Sequence, residues 1–396
     1  MRIIKGMIYT DKMRFEAGEI AIEGSLIDRI TLCAKEELTP EEAGTYLLPG
    51  LVDTHFHGCA GYDFCDGTKE ALRAIASYEM THGITTICPA TMTLSEEVLT
   101  NVCSVCADAM ETETIKTEGT ANGVTDEEKS GVEIAFSDIL RGIYLEGPFI
   151  SLEKKGAQNP AYIHQSDQGM LAKLQKAAGG LIKIVVIAPE TEGAIACIEA
   201  CKDDYRFSIA HTCADYETAR KAIEAGAVHV THLYNAMPPF THREPGVIGA
   251  VAEAEQVMAE LICDGIHIHP SVVRNTFRWF GAHRMVLISD SMMATGMEDG
   301  KYALGGQPVE VKGNRALLAD GTIAGSATNL YDCMRTAVQM GIPVEDAIRA
   351  ATYNPAVSVG LEKECGVLQA GRNADILIAD SELTLKSVIK SGKTVV

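Results

Sequence analysis

Between residues 51 and 290, short apolar runs alternate with stretches in which apolar residues recur every three or four positions. The runs Leu51 to His55, Gly83 to Ala90, Gly142 to Phe149, Ile182 to Pro189, Phe207 to Thr212, Val228 to Asn235, Ala259 to His267 and Met285 to Asp290 read as strands. Helical patterns sit between them, as at Lys69 to Thr81, Gln168 to Ala178, Gly193 to Ala200 and Tyr216 to Ala225. Strands alternating with helices predict a parallel sheet with crossover helices. Eight such strands in about 300 residues is the count and size of a (β/α)8 barrel. An open doubly wound sheet would want a glycine-rich fingerprint after its first strand, and Gly58-x-x-Gly61 is not one.

The two ends of the chain have another texture. Residues 1–48 and the last thirty alternate polar and apolar positions between short turns, as in Glu19-Ile20-Ala21-Ile22-Glu23 and Asp375-Ile376-Leu377-Ile378-Ala379. The expected fold is therefore α/β: a (β/α)8 TIM-like barrel over 49–355, with a small β-sandwich domain assembled from 1–48 and 356–396. One segment breaks the pattern. Residues 111–137 are poor in large apolar side chains and rich in Thr, Glu, Gly and Lys, which predicts a surface insertion.

Composition narrows the function classes. A formal net charge of -20 argues against non-specific binding to nucleic acid or acidic lipid, and an anionic substrate would need a local cationic pocket. No apolar run approaches the roughly 20 residues of a membrane helix. The start, Met1-Arg2-Ile3-Ile4-Lys5-Gly6, is a strand pattern and has no signal-peptide character. Twelve cysteines without a repeating framework read as reduced thiols, so a cytoplasmic protein is expected.

Chemistry concentrates at the predicted carboxyl ends of the strands, where barrels of this type place their active sites. Those ends carry His55 and His57, then Glu146, His211, His232, His267 and Asp290. His55 and His57 are two apart, so an extended strand points both the same way, with Asp53 one layer deeper. By the same alternation His229 and His232, three apart, should face opposite sides, which makes His229 the spectator. Four histidines with a glutamate and an aspartate can hold one or two divalent cations. Asp290 is then the natural general base beside an activated water, and metal-assisted hydrolysis of an amide or similar bond is the implied chemistry.

These residues sit in motifs that resemble the amidohydrolase superfamily, and within it the deacetylases of N-acetyl-D-glucosamine 6-phosphate. The motifs are Pro49-Gly50-Leu51-Val52-Asp53-Thr54-His55-Phe56-His57-Gly58, Leu145-Glu146-Gly147-Pro148-Phe149 and Thr231-His232-Leu233-Tyr234-Asn235-Ala236-Met237-Pro238, followed by Arg243-Glu244-Pro245-Gly246, Asp264-Gly265-Ile266-His267, Ile288-Ser289-Asp290-Ser291-Met292 and Ile323-Ala324-Gly325-Ser326. The resemblance implies that Glu146, His211 and His232 bind the main metal, with His55 and His57 completing a second site. Zn2+ or Fe2+ would suit these donors, as would Co2+ or Mn2+. It further implies phosphate recognition by Asn235, the backbone of Ala236 and His267, with Arg243 crossing from the partner in a homodimer. Sugar contacts would fall on Ala157, Gln158, Ile323, Ala324 and Gly325. Some relatives have histidine where Gln158 stands, which leaves the epimer preference open. The implied activity is deacetylation of a phosphosugar in amino-sugar catabolism. Its alternatives are the galactosamine epimer, a cyclic-amide hydrolase and a non-catalytic scaffold of the same fold.

Overall fold

The computed structural model describes residues 1–117 and 132–396. Eight short parallel strands follow one another along the middle of the chain: β1 (Leu51–Asp53), β2 (Ile84–Ile87), β3 (Ile143–Leu145), β4 (Ile182–Ile187), β5 (Arg206–Ile209), β6 (Ala227–Val230), β7 (Met258–Ile262) and β8 (Met285–Ile288). Strands β3 to β8 form one six-stranded sheet in sequence order, and β1 pairs with β2. Parallel bridges at Ile87–Leu140 and Ala90–Tyr144 carry β2 onto β3. At the far end, the Asp290 N–H donates to the His55 carbonyl at 3.0 Å, so the end of β8 meets the end of β1. The result is a mixed α/β fold. Its crossover helices begin where the sequence predicts, with Thr68, Asp167 and Asp215 accepting from the first-turn N–H groups of helices Lys69–Thr81, Gln168–Ala177 and Tyr216–Ala225.

All eight expected strands are present, yet each ends earlier than expected. The cause lies in the residues just beyond the ladders. His211, His232 and Asp290 have φ of 43°, 29° and 48°, a left-handed backbone that cannot continue a strand. This undoes the opposite-sides premise for His229, although His229 lies in neither group of potential metal ligands, as a spectator should. Because β6 stops at Val230 and the chain turns at His232, both histidines are buried, and His229 lies beneath the site instead of on the outer face. Its Nδ1 is 3.1 Å from Ser208 Oγ and 3.8 Å from Glu260 Oε1.

Strands from both termini form one seven-stranded sheet, in the order Lys393–Thr394, Leu385–Lys390, Ile376–Asp380, Thr45–Pro49, Arg2–Tyr9, Phe15–Glu23, Leu26–Leu32. The sheet folds back on itself: an antiparallel bridge at Leu26–Asn373 joins its outer strand to the chain just before Ile376–Asp380, and Ile8, Ile20, Ile27, Leu47, Ile376 and Ile389 share one buried core. The expected boundary at residue 48 falls inside the strand Thr45–Pro49, which pairs with Ile376–Asp380 and runs through Gly50 directly into β1. Asp375 ties the junction together. Its carbonyl accepts from Gly50 N–H at 3.0 Å, while its carboxylate meets the buried Lys390 ammonium at 2.6 Å.

Two further features depart from expectation. The flanks of the 111–137 segment are built structure: Thr114–Thr117 pairs antiparallel with Val132–Ala135, and Ile115, Ile134 and Phe136 are buried in the main core. The centre of that segment, 118–131, lies outside the described residues. After β8 the chain also makes a three-stranded antiparallel sheet, Gly300–Leu304, Gln307–Lys312 and Arg315–Leu317, which the strand-and-helix reading passed over. Gly305 and Gly306, both at positive φ, form its first two-residue turn, a conformation in which side chains with a Cβ are strained. Leu304, the last residue of its first strand, lines the cavity described below.

Candidate metal centre and the cavity above it

At the carboxyl ends of β1, β3, β5, β6 and β8 six predicted side chains meet. Each is held by a different local device. Glu146 directly follows β3, and Gly147 behind it has φ 83° and a virtual Cβ only 2.0 Å from Thr93 Oγ1, so a larger residue there would displace the turn. His211, His232 and Asp290 swing inward on their left-handed turns, conformations that cost of order 1–3 kcal/mol each and cluster at functional sites. His55 and His57 project from the extended segment after β1, both aimed at Glu146.

The donor atoms fall into two groups, His55–His57–Asp290 and Glu146–His211–His232. In the second, Glu146 Oε1 is 3.1 Å from both His211 Nε2 and His232 Nε2, and the two ring nitrogens are 3.2 Å apart. In the first, His57 Nε2 is 3.3 Å and His55 Nε2 3.9 Å from Asp290 Oδ1. Glu146 lies between the groups. Its Oε1 faces His55 Nε2 at 3.5 Å and its Oε2 faces His57 Nε2 at 3.2 Å.

The ring orientations show that these are lone pairs converging. His211 Nδ1–H donates to the Lys154 carbonyl at 2.8 Å, His57 Nδ1–H to the Ala90 carbonyl at 3.2 Å, and His55 Nδ1–H to Glu260 Oε2 at 2.9 Å. With a proton engaged on Nδ1, each ring in its neutral, cation-bound form would have only Nε2 left to act as a ligand. Glu146 Oε1, His211 Nε2 and His232 Nε2, 3.1–3.2 Å apart, match the edge of about 3.3 Å expected of a tetrahedron with metal–ligand bonds of about 2.0 Å. Electrostatics agree with this fit. Burial lowers the His57 pKa, but Asp290 and Glu146 outweigh it and raise the ring to about 10, so the site demands positive charge. A divalent cation supplies it.

Above the donors lies a cavity of about 370 Å³. Its walls include His57, Glu146, His211, His232 and Asp290 from the donor groups, together with Ala157, Gln158, Asn235, Ala236, His267, Ile323 and Gly325 from the expected substrate contacts. Three predicted site residues do not line it. His55 is fully buried behind His57, where it meets the donors but not the cavity. Ala324 is buried under its own loop, its N–H donated to the Ala316 carbonyl at 3.0 Å, because Gly325 at φ 68° turns the chain inward there. Arg243 is exposed and outside the cavity, on the loop that follows Pro238.

Gln158 lines the cavity and is also held by protein. It is buried, its Oε1 accepts from Thr93 N–H at 2.6 Å, and its Nε2 donates to Glu146 Oε2 at 2.7 Å. Both ends of the amide are thus engaged by protein. His267 is oriented by Asp264, whose Oδ2 accepts from His267 Nδ1–H at 2.7 Å and whose Oδ1 accepts from His267 N–H at 2.9 Å.

The residue reading missed several participants. Lys154 brings a cation to the cavity wall, and Met92 and Leu304 give it an apolar side. Tyr144 stacks on His55 at 4.4 Å between ring centres, with its hydroxyl 2.6 Å from Thr231 Oγ1. Glu260 reaches His55 from below. Only Glu260 left a signal in the sequence, as a lone acid within the apolar run of β7, Met258-Ala259-Glu260-Leu261-Ile262.

Buried histidines and carboxylates meeting at the carboxyl ends of parallel strands define a metal-dependent hydrolase of the amidohydrolase class. The chain belongs to the amidohydrolase family, whose model matches residues 46–395. Within that family it is similar to the N-acetylglucosamine-6-phosphate deacetylase of Bacillus subtilis (strain 168), 36% identical over 393 residues that cover 97% of this chain and 94% of the relative. It is also similar in structure to a mutant of the N-acetyl-D-glucosamine-6-phosphate deacetylase of Mycobacterium smegmatis in complex with N-acetyl-D-glucosamine-6-phosphate. That match has a TM-score of 0.87 and 31% identity, covering 100% of this chain and 99% of that one. A third relative, the N-acetylgalactosamine-6-phosphate deacetylase of Escherichia coli O157:H7, is 30% identical over 89% of this chain and 88% of its own.

Proposed function

We propose that this protein hydrolyses the acetamide of N-acetyl-D-glucosamine 6-phosphate to acetate and D-glucosamine 6-phosphate, a step of amino-sugar catabolism. The observation that carries the reading is the convergence of Glu146 Oε1, His211 Nε2 and His232 Nε2 within 3.2 Å of one another at the floor of a cavity that also exposes Asp290. The names of its relatives point to the same substrate.

In this reading Glu146, His211 and His232 hold the main divalent cation, His55 and His57 complete a second site, and Glu146 stands between them. Zn2+ and Fe2+ fit the donors best, with Co2+ and Mn2+ as alternatives. A bound cation lowers the pKa of water and polarises a carbonyl oxygen. Asp290 takes the proton as water adds to the acetyl carbon, then returns it to the sugar nitrogen as the carbon–nitrogen bond breaks. Its Oδ1 faces both histidines, which hold the carboxyl below its usual range although burial alone would raise it. Asn235, the Ala236 backbone and His267 bind the phosphate, while Ala157, Ile323 and Gly325 border the sugar. Gln158 acts through Glu146.

We also read the eight parallel strands as a closed (β/α)8 barrel, supported by the bond from Asp290 to His55, and the terminal sheet as a separate small β-domain. Arg243 belongs to the phosphate subsite of a second copy in a homodimer. Next to it Phe240 and Trp279 form an exposed aromatic pair, ring centres 5.1 Å apart, of the kind interfaces bury. No helix among the described residues is long and apolar enough to cross a membrane. Twelve free thiols suit the reducing cytoplasm.

The galactosamine epimer stands as a second reading, favoured by one observation: an N-acetylgalactosamine-6-phosphate deacetylase is among the relatives, 30% identical over 89% of this chain. The test is acetate release from both acetylated amino-sugar phosphates and from unphosphorylated N-acetylglucosamine, before and after chelation. Fast release from the glucosamine phosphate, lost on chelation and restored by metal, is expected. Equal rates without the phosphate, or full activity after complete metal removal, would overturn the proposal.

A further inference from the structure

We infer that Glu260 is a positioning residue for the metal centre: one of its carboxylate oxygens holds the His55 ring and the His232 backbone together, and this fixes the second cation's site. The inference rests on the metal reading proposed above. Glu260 stands in the middle of β7 with no exposed surface, in a run that is otherwise apolar. Its Oε2 accepts from His55 Nδ1–H at 2.9 Å and from His232 N–H at 3.1 Å, so a single atom touches both donor groups. Its other oxygen, Oε1, has no hydrogen-bond partner among the described residues.

Packing does not account for such a residue. A buried carboxylate with one oxygen unsatisfied is costly, and a hydrophobic side chain of similar size would serve β7 better. What Glu260 does supply is a constraint on His55. Tyr144 stacks on one face of that ring and Glu260 takes its Nδ1–H, which leaves Nε2 as the only free ring nitrogen, directed at Glu146 and Asp290. The comparison with neighbouring rings is informative. His57 and His211 donate to neutral backbone carbonyls, whereas His55 alone in the two donor groups donates to a carboxylate. An anionic acceptor makes the opposite ring nitrogen a stronger ligand, so Glu260 strengthens the donor that is otherwise the most distant from Asp290.

The experiment titrates Co2+ into metal-free full-length protein, with visible absorption and equilibrium dialysis as readouts, for the wild type, Glu260→Gln, His55→Ala and the double variant. Thermal unfolding of each metal-free form checks the fold. The wild type is expected to bind two equivalents. Glu260→Gln should weaken one of them by about 10- to 100-fold and leave the other unchanged, because the amide oxygen can still accept from both His55 Nδ1–H and His232 N–H but loses the negative charge that makes His55 the stronger ligand. If Glu260 acts through His55, the double variant binds Co2+ as His55→Ala does. The inference is overturned by a wild type that binds a single equivalent, by unaltered affinities in Glu260→Gln, or by equal weakening of both equivalents with a lowered unfolding midpoint. A double variant weaker than His55→Ala also overturns it. A one-equivalent wild type that still releases acetate removes this inference and leaves the proposed function standing, whereas a protein that binds no Co2+ removes both.

Discussion

The two donor groups that meet at Glu146 are built in opposite ways. Glu146, His211 and His232 come from three separate strands, two of them turned inward by left-handed residues, and their donor atoms stand 3.1–3.2 Å apart. His55 and His57 come from one extended segment, and their nearest approaches to Asp290 are 3.9 and 3.3 Å. Side chains two residues apart on a strand start about 6.6 Å apart and stay parallel, so they cannot converge without help. Their rings lie 5.5 Å apart, anchored from outside by Glu260 and the Ala90 carbonyl. Donors from different strands are tightened by backbone turns, and donors from one strand are tightened by their neighbours.

The sharpest test of this contrast is Asp290→Asn. It keeps the shape of both groups but removes the proton acceptor, and kcat should fall by about 10²–10⁴-fold with the equivalent held by Glu146, His211 and His232 retained. A near-normal rate would remove Asp290 from the chemistry. Next, His211→Ala should weaken the tighter metal equivalent by more than the about 100-fold that loss of an outer hydrogen-bond partner costs, whereas His55→Ala should affect only the other equivalent. Metal analysis after dialysis separates them, and equal losses would erase the distinction between the groups. Gln158→Ala deprives Glu146 of an N–H donor while leaving the ring nitrogens in place. A fall of about tenfold in kcat/KM is expected, and a change in KM alone would return Gln158 to the sugar. The smallest effect belongs to Tyr144→Phe. The ring remains stacked on His55, and Ser208 and Thr231, already 2.6 Å apart, satisfy each other. Stability should drop by about 1 kcal/mol, read as a small decrease in Tm, with kcat preserved.

Much of this architecture was legible beforehand, for reasons that differ from element to element. The eight parallel strands and the helices Lys69–Thr81 and Tyr216–Ala225 follow from apolar runs and helical spacing, which are local properties. The His55–His57 pair needs only the two-residue period of an extended chain. The strand ends were misjudged because nothing in a histidine or an aspartate announces a positive φ, and the opposite-sides argument for His229 failed by the same omission, although His229 stays out of both donor groups. The sheet Gly300–Leu304, Gln307–Lys312, Arg315–Leu317 carried a glycine-pair turn and alternating positions, but it interrupts a region read as barrel. Gln158 and Ala324 were assigned by resemblance, and the hydrogen bonds that hold Gln158 in the cavity wall and draw Ala324 out of it involve Thr93, Glu146 and Ala316, distant in sequence.

What the chain determined by itself was the alternation of strand and helix, the pairing of texture between its two ends, and the identity of the groups able to bind a cation. Periodicity and donor chemistry reside in single residues and their immediate neighbours, so they survive without coordinates. Tertiary structure alone decided the left-handed turns that aim His211, His232 and Asp290 inward, the distances at which Glu146 meets both donor groups, and the support that Glu260 gives from below. Such contacts depend on strand order and on turns imposed by packing, and a sequence records neither until the chain has closed upon itself.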